Sequence, residues 1–139
     1  MFEQDYLIRL LMQFFEAITR SIAKREEEAD PQGAADLLEA AVGNATEMDG
    51  SVLLSLAPES IAQVLGISGV DPNVTQFVAR SMLLESVYLA EAGNTELAQI
   101  REGQARAIAA EYGFELPSDP SDFESITEGL EEAAAQGSF

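Results

Sequence analysis

The sequence predicts an all-α fold, an antiparallel bundle of five to six helices. Apolar residues recur at steps of three and four along most of the chain, which is the spacing of one helical face. Asp-Pro pairs and glycines divide these stretches at the points where helices begin and end. Alternation of β-branched and polar residues is absent, so no sheet is expected. With 139 residues, the chain can bury one core as a single domain.

The first helix is predicted from residue 2 to about residue 28. Ile8, Met12 and Phe15 widen its apolar face into a broad arc. We expect a helix this long and apolar to be covered along most of its length, by its own domain or by a second copy. The residues that form the apolar face are Leu7, Leu10, Leu11, Phe14, Ile18 and Ile22.

Three further helices are predicted before residue 70. Asp30-Pro31 supplies an N-cap and a first-turn proline, and Gly43-Asn44 supplies a stop for the second helix. A short third helix is expected between residues 47 and 56. Pro58-Glu59 then opens a fourth helix that ends at Gly66.

The fifth and sixth helices are the best defined. The fifth begins at Asp71-Pro72 and ends before Gly93, and the sixth runs from Thr95 to Gly113. These elements complete a helical domain of residues 1–116. Residues 117–139 are acidic and contain no cation, so we expect a weakly ordered tail that includes at most one short amphipathic helix.

Composition removes the residues on which most enzyme chemistry depends. The chain has no cysteine and no histidine, which excludes disulfides, thiolate nucleophiles and the Ser-His-Asp triad. Ser68 follows no strand and has no histidine to activate it, so we interpret its Gly-rich segment as a turn. We therefore expect a non-enzymatic protein without a cofactor or metal. The alternative is a metal-dependent enzyme or factor that uses carboxylates alone.

The charge of the chain restricts its partners. It carries 25 acidic and 7 basic residues, a net charge of −18, which repels nucleic acid and anionic membranes. Residues 1–25 hold four basic and three acidic residues, so the other 114 residues carry −19. We expect the partner to be another protein, through a basic or apolar segment, or a second copy paired through the first helix. The N-terminal residues lack the basic region of a secretory signal, so a bacterial cytoplasm is the expected compartment.

The corner between the last two helices resembles a tetratricopeptide hairpin. Gly93 stands at the corner glycine, and Ser86, Ala98 and Ala105 occupy the small positions that let two helices approach closely. The pattern covers about one repeat, and its aromatic positions are not met. The resemblance implies an antiparallel hairpin whose first helix presents a binding stripe.

That stripe comprises Arg80, Leu83, Val87 and Glu91 at helical spacing. Its centre is apolar, and two interpretations follow. Another helix of the chain packs into the stripe, which we prefer because amphipathic stripes usually face a core. Alternatively, the stripe is an open groove for an apolar or basic amphipathic segment.

The chain as a whole resembles an uncharacterised bacterial family of short helical proteins. Its opening, M-F-E-x-D-Y followed by two apolar residues and Arg9, matches that family, as does L-x-P-E with L-G-I-S-G-x-D-P between Leu56 and Pro72. The resemblance covers residues 1 to about 112. It implies a helical fold and no particular activity.

Overall fold

A computed structural model describes residues 2–46, 50–67, 72–118 and 128 of the chain. Six helices lie in these ranges, and no strand occurs among the residues that they contain. The predicted all-α fold is therefore confirmed. The helices are α1 (Phe2–Glu27), α2 (Pro31–Thr46), α3 (Gly50–Leu53), α4 (Pro58–Ile67), α5 (Pro72–Glu91) and α6 (Thr95–Tyr112).

Prolines and glycines fix the ends of these helices. Pro31, Pro58 and Pro72 are each the first residue of a helix, where the missing N–H leaves no hydrogen bond unmade. Before α2, the Oδ1 atom of Asp30 accepts a hydrogen bond from the Gly33 N–H at 2.9 Å, as an N-cap should. Gly113, with φ of 75°, ends α6 in the left-handed conformation that glycine adopts most easily.

The prediction that the second helix stops at Gly43-Asn44 is wrong. The helix α2 continues through both residues to Thr46. Ala45 and Thr46 are buried, and the Thr46 hydroxyl donates to the carbonyl oxygen of Val42 at 2.8 Å. A glycine inside a helix costs about 1 kcal/mol, which the burial of Ala45 and Thr46 offsets.

The helix α5 lies at the centre of the molecule. All of its residues from 81 to 89 are buried, and it packs against α1, α2 and α6. The rings of Phe14 and Phe77 join α1 to α5, with centroids 5.9 Å apart and planes tilted by 42°. Outside this core, α4 packs on α6 and α3 packs on α2.

The first helix is covered on one side only. Leu11, Phe14 and Ile18 are buried in the core, whereas Met12 is 59% exposed and Phe15 is 40% exposed. The chain's own helices therefore leave part of the predicted apolar arc open. Among the described residues, no helix is both long enough and apolar enough to span a bilayer.

Candidate functional site

The centre of the predicted stripe on α5 lies inside the core. Leu83 is 0% exposed and Val87 is 8% exposed, because α5 is packed among α1, α2 and α6. The stripe therefore forms no open groove in a single chain. Partner binding through it stays a prediction, and the helices that cover it would have to separate first.

The two ends of the stripe are held by other parts of the chain. Arg25 of α1 donates two hydrogen bonds to the carboxylate of Glu91, at 2.7 and 2.6 Å, and this bonding raises the pKa of Arg25. The guanidinium of Arg80 lies 5.7 Å from the centre of the Phe114 ring, a distance typical of a cation–π contact. These contacts attach α1 and the segment after α6 to opposite ends of the stripe.

A buried polar cluster lies where α5 and α6 meet. The Arg101 side chain donates from Nε to Glu85 Oε2 at 2.9 Å, and from Nη1 to the Leu54 carbonyl oxygen at 2.9 Å and to Gln104 Oε1 at 3.1 Å. Its other terminal nitrogen reaches Glu39 of α2 at 3.5 Å. One arginine therefore joins α6 to α5, to α2 and to the end of α3.

Gln104 completes this cluster from α6. Its Nε2 atom donates to the carbonyl oxygens of Leu54 and Leu56, at 2.9 and 2.7 Å. The segment after α3 has no helix to satisfy these carbonyls, and a buried carbonyl without a partner would cost about 1 to 3 kcal/mol. The cluster therefore holds this non-helical segment against the core.

Glu85 is the titratable group at the centre of the cluster. Burial raises its pKa to about 7, although the adjacent Arg101 guanidinium lowers the pKa. Raised pKa values often occur at catalytic carboxyls, but Glu85 is only 2% exposed and lies beneath α2 and α6. A substrate cannot reach this carboxyl in the folded chain, so we assign the cluster to the stability of the fold.

An open furrow separates α1 from α2 at the surface, and we call it the α1–α2 groove. Its volume is about 330 Å³. On α1 it is lined by Leu10, Gln13, Phe14, Glu16, Ala17 and Arg20. On α2 it is lined by Leu37, Ala40, Ala41, Asn44 and Ala45.

The groove combines an apolar floor with a charged edge. Alanines and leucines from both helices form the floor, and the small alanines keep it open. Along the edge, Gln13, Glu16 and Arg20 line the groove, and Arg9 stands one turn before Gln13 on the same face of α1; all four are exposed. No ion pair joins Arg9, Glu16 or Arg20 to any residue whose side chain the structure describes. These charges are therefore open to a partner that lies along α1.

The structure gives the metal-dependent alternative no site among its described residues. Among the side chains that the structure describes, no three carboxylates come together as a group that could hold an ion. The carboxylate-only hypothesis stays untested for the rest of the chain.

Sequence reasoning did not find the α1–α2 groove or the buried cluster. Periodicity marks the buried face of each helix, but it does not tell how wide a furrow remains between two neighbours. A signal for the cluster was present, because Arg101 and Gln104 fall between Ala98 and Ile108 on the buried face of α6. A charged residue at such a position indicates a buried partner.

Comparisons with known protein families, with curated proteins and with solved structures found no match to this chain. The function of this chain is therefore inferred from its own geometry and chemistry.

Proposed function

We propose that this chain is a non-enzymatic protein-interaction or scaffolding module, which binds another protein or a second copy of itself. The open α1–α2 groove carries this proposal. An apolar floor edged by exposed charges, set between two helices, is the kind of surface that receives a helix from a partner. The proposed setting is the bacterial cytoplasm, and the proposed family is the one that the opening residues resemble.

We also propose that α5 and α6 form an antiparallel, tetratricopeptide-like hairpin. The Glu85–Arg101 ion pair supports this arrangement, because each residue lies eight positions from Gly93 at the corner. Gly93 has φ of 89°, a conformation that allows the tight reversal. The three small residues of the pattern, Ser86, Ala98 and Ala105, are buried.

The contacts between α1 and α5 support a second hairpin of the same kind, formed by α1 and α2. They advance in step along both helices, joining Phe14 to Phe77, Ser21 to Tyr88 and Arg25 to Glu91. In this proposal α1 and α5 are the first helices of the two hairpins. First helices that run in the same direction are typical of successive repeats. In this arrangement the α1–α2 groove is the end face of a two-hairpin stack. Repeat units bury such faces against further helices, so the groove is where additional helices would add.

The test is co-purification of the tagged protein from its native cell lysate, with an untagged copy expressed alongside it. We expect Ala40→Arg, which places a long side chain in the groove, to reduce retention of the partner by about tenfold or more. The matched control is Ala110→Arg, because Ala110 is also exposed but lies on α6, outside the groove.

Retention that is lost in Ala40→Arg and kept in Ala110→Arg supports the proposal. If neither another protein nor the untagged copy is retained by the wild-type chain, the interaction-module proposal fails. Equal retention by both variants contradicts the assignment of the interface to the groove.

A further inference from the structure

We infer that the occupant of the α1–α2 groove is a second copy of this chain, bound through its own groove. The two α1 helices lie antiparallel about a two-fold axis that passes near Gln13. This inference rests on the proposed function, and it specifies the partner, the face and the register.

The edge of α1 is complementary to itself in this register. Arg9 lies four residues before Gln13, and Glu16 lies three residues after it on the same flank of α1. Across the two-fold axis, each arginine therefore comes to nearly the same height as the glutamate of the other copy and faces it. Leu10 lies three residues before Gln13, and Ala17 lies four residues after it on the opposite flank of α1. The large side chain of Leu10 therefore faces the small side chain of Ala17 in the other copy. Because the axis repeats each contact, the interface has two ion pairs and two large-to-small contacts. A parallel pairing would instead place Arg9 against Arg9 and Glu16 against Glu16.

The distribution of charge favours α1 as the contact between copies. Two chains of net charge −18 repel each other over most of their surfaces. Residues 1–25 are the exception, with one more cation than anions. Along the groove edge, Arg9 and Arg20 flank a single acid, Glu16. Approach through α1 therefore brings the two copies together where their repulsion is weakest.

The exposed residues Met12 and Phe15 do not line the groove. Met12 lies one turn from both Arg9 and Glu16, so it is too near the proposed ion pairs to serve as a control. A helix turns about 100° per residue, which places Phe15 about 160° from Gln13 and about 100° from Glu16. Phe15 therefore supplies a control for any self-association that uses the wrong side of the helix.

The experiment is sedimentation equilibrium of the full chain over a range of about 1 to 300 µM. We expect the wild-type chain to dimerise within this range. Each exposed ion pair changes an equilibrium constant by about two- to fivefold. Glu16→Arg turns two attractive pairs into two repulsive ones and should weaken the dimer by about tenfold or more. Arg9→Glu should do the same, and the doubly exchanged variant should recover most of the lost affinity.

The control variant is Phe15→Gln, which should leave the dimer unchanged. Circular dichroism and thermal unfolding verify that every variant is folded, since all three positions are exposed. The inference is overturned if Phe15→Gln abolishes the dimer while Glu16→Arg does not, or if the double exchange recovers nothing. A monomeric wild-type chain also overturns it. In that case, groove-dependent retention of a different protein leaves the proposed function standing, whereas no retention removes both.

Discussion

Glu85 is a carboxyl group that the fold holds away from water. Three charged groups face it from two neighbouring helices. Arg101 of α6 bonds to it directly, and Glu39 and Asp36 of α2 add repulsion that favours its protonated form. The Oε1 atom of Glu85 accepts no hydrogen bond among the described residues. A half-satisfied buried carboxylate is costly, so protonation of this residue should affect the stability of the whole chain.

The pH dependence of stability tests this interpretation. The pKa of Glu85 is raised from its ordinary value of 4.5 to about 7, so the folded chain binds a proton that the unfolded chain releases. This contribution is fully present below pH 4.5 and is lost as the pH rises through 7. We expect it to lower the free energy of unfolding by about 2 kcal/mol between pH 5.5 and pH 8. Urea denaturation at both pH values measures the difference.

Glu85→Gln removes the titrating group and should remove most of this decrease. Glu96→Gln is the control, because Glu96 is exposed at the start of α6 and should leave the decrease in place. An unchanged pH dependence in Glu85→Gln would assign the effect to the general repulsion among the other acids.

At the level of the helices, two glycines, one between α5 and α6 and one within α6, have opposite roles. Gly93 adopts a φ of 89° at the corner, whereas Gly103 lies inside α6. A Cβ atom at position 93 would have free space around it, and one at position 103 would touch only Pro58 Cγ at 3.6 Å, an ordinary contact. Backbone conformation therefore decides the effect of an added methyl group at both sites.

We expect Gly93→Ala to destabilise the fold by about 1 kcal/mol, because a left-handed conformation is strained for alanine. Gly103→Ala should stabilise the fold by about 0.5 to 1 kcal/mol, because alanine favours a helix. Each variant is the control for the other, and denaturant unfolding measures both. The same sign for the two changes would contradict the corner conformation.

The buried stripe of α5 gives a second prediction about this helix. Leu83→Glu places a charge in the core without a partner and should cost at least about 4 kcal/mol, enough to unfold a marginally stable domain. Ile100→Glu adds the same charge at a position that is 43% exposed on α6 and should leave the chain folded. Circular dichroism separates these outcomes. A folded Leu83→Glu variant would restore the open-stripe interpretation.

Most of the helices could be predicted from sequence because their ends are chemically marked. Pro31, Pro58 and Pro72 open helices, and Gly93 and Gly113 follow the ends of two others, as expected. Gly43 misled the prediction because a local stop signal competes with the burial of the residues that follow it. The predicted tail of residues 117–139 lies outside the described residues, apart from 117, 118 and 128.

The site could not be predicted in the same way. Leu83 and Val87 have the spacing of either a core stripe or a binding stripe, and only the positions of the neighbouring helices distinguish the two. The α1–α2 groove depends on how two helices sit beside each other, which no single helix encodes. Its alanines, such as Ala40 and Ala41, give only a weak hydrophobic signal in the sequence.

For the whole molecule, charge and architecture lead to the same face. The acidic part of the chain repels a second copy, while the edge of α1 carries both signs of charge in a self-complementary order. The proposed two-hairpin stack also leaves its end face at the α1–α2 groove. Pairing of two such faces would bury that surface and bring together four helices, two from each copy.

The most direct test of this account is a mixing experiment with two variants. In the antiparallel register, Arg9→Glu leaves glutamate at both positions 9 and 16 of each chain, and Glu16→Arg leaves arginine at both. Each variant alone should dimerise about tenfold more weakly than the wild-type chain. A mixture should form a heterodimer at least as tightly as the wild-type homodimer, because both of its ion pairs are attractive. Sedimentation equilibrium of the two variants, alone and mixed, measures this directly, and a mixture that associates no better than its components would contradict the account.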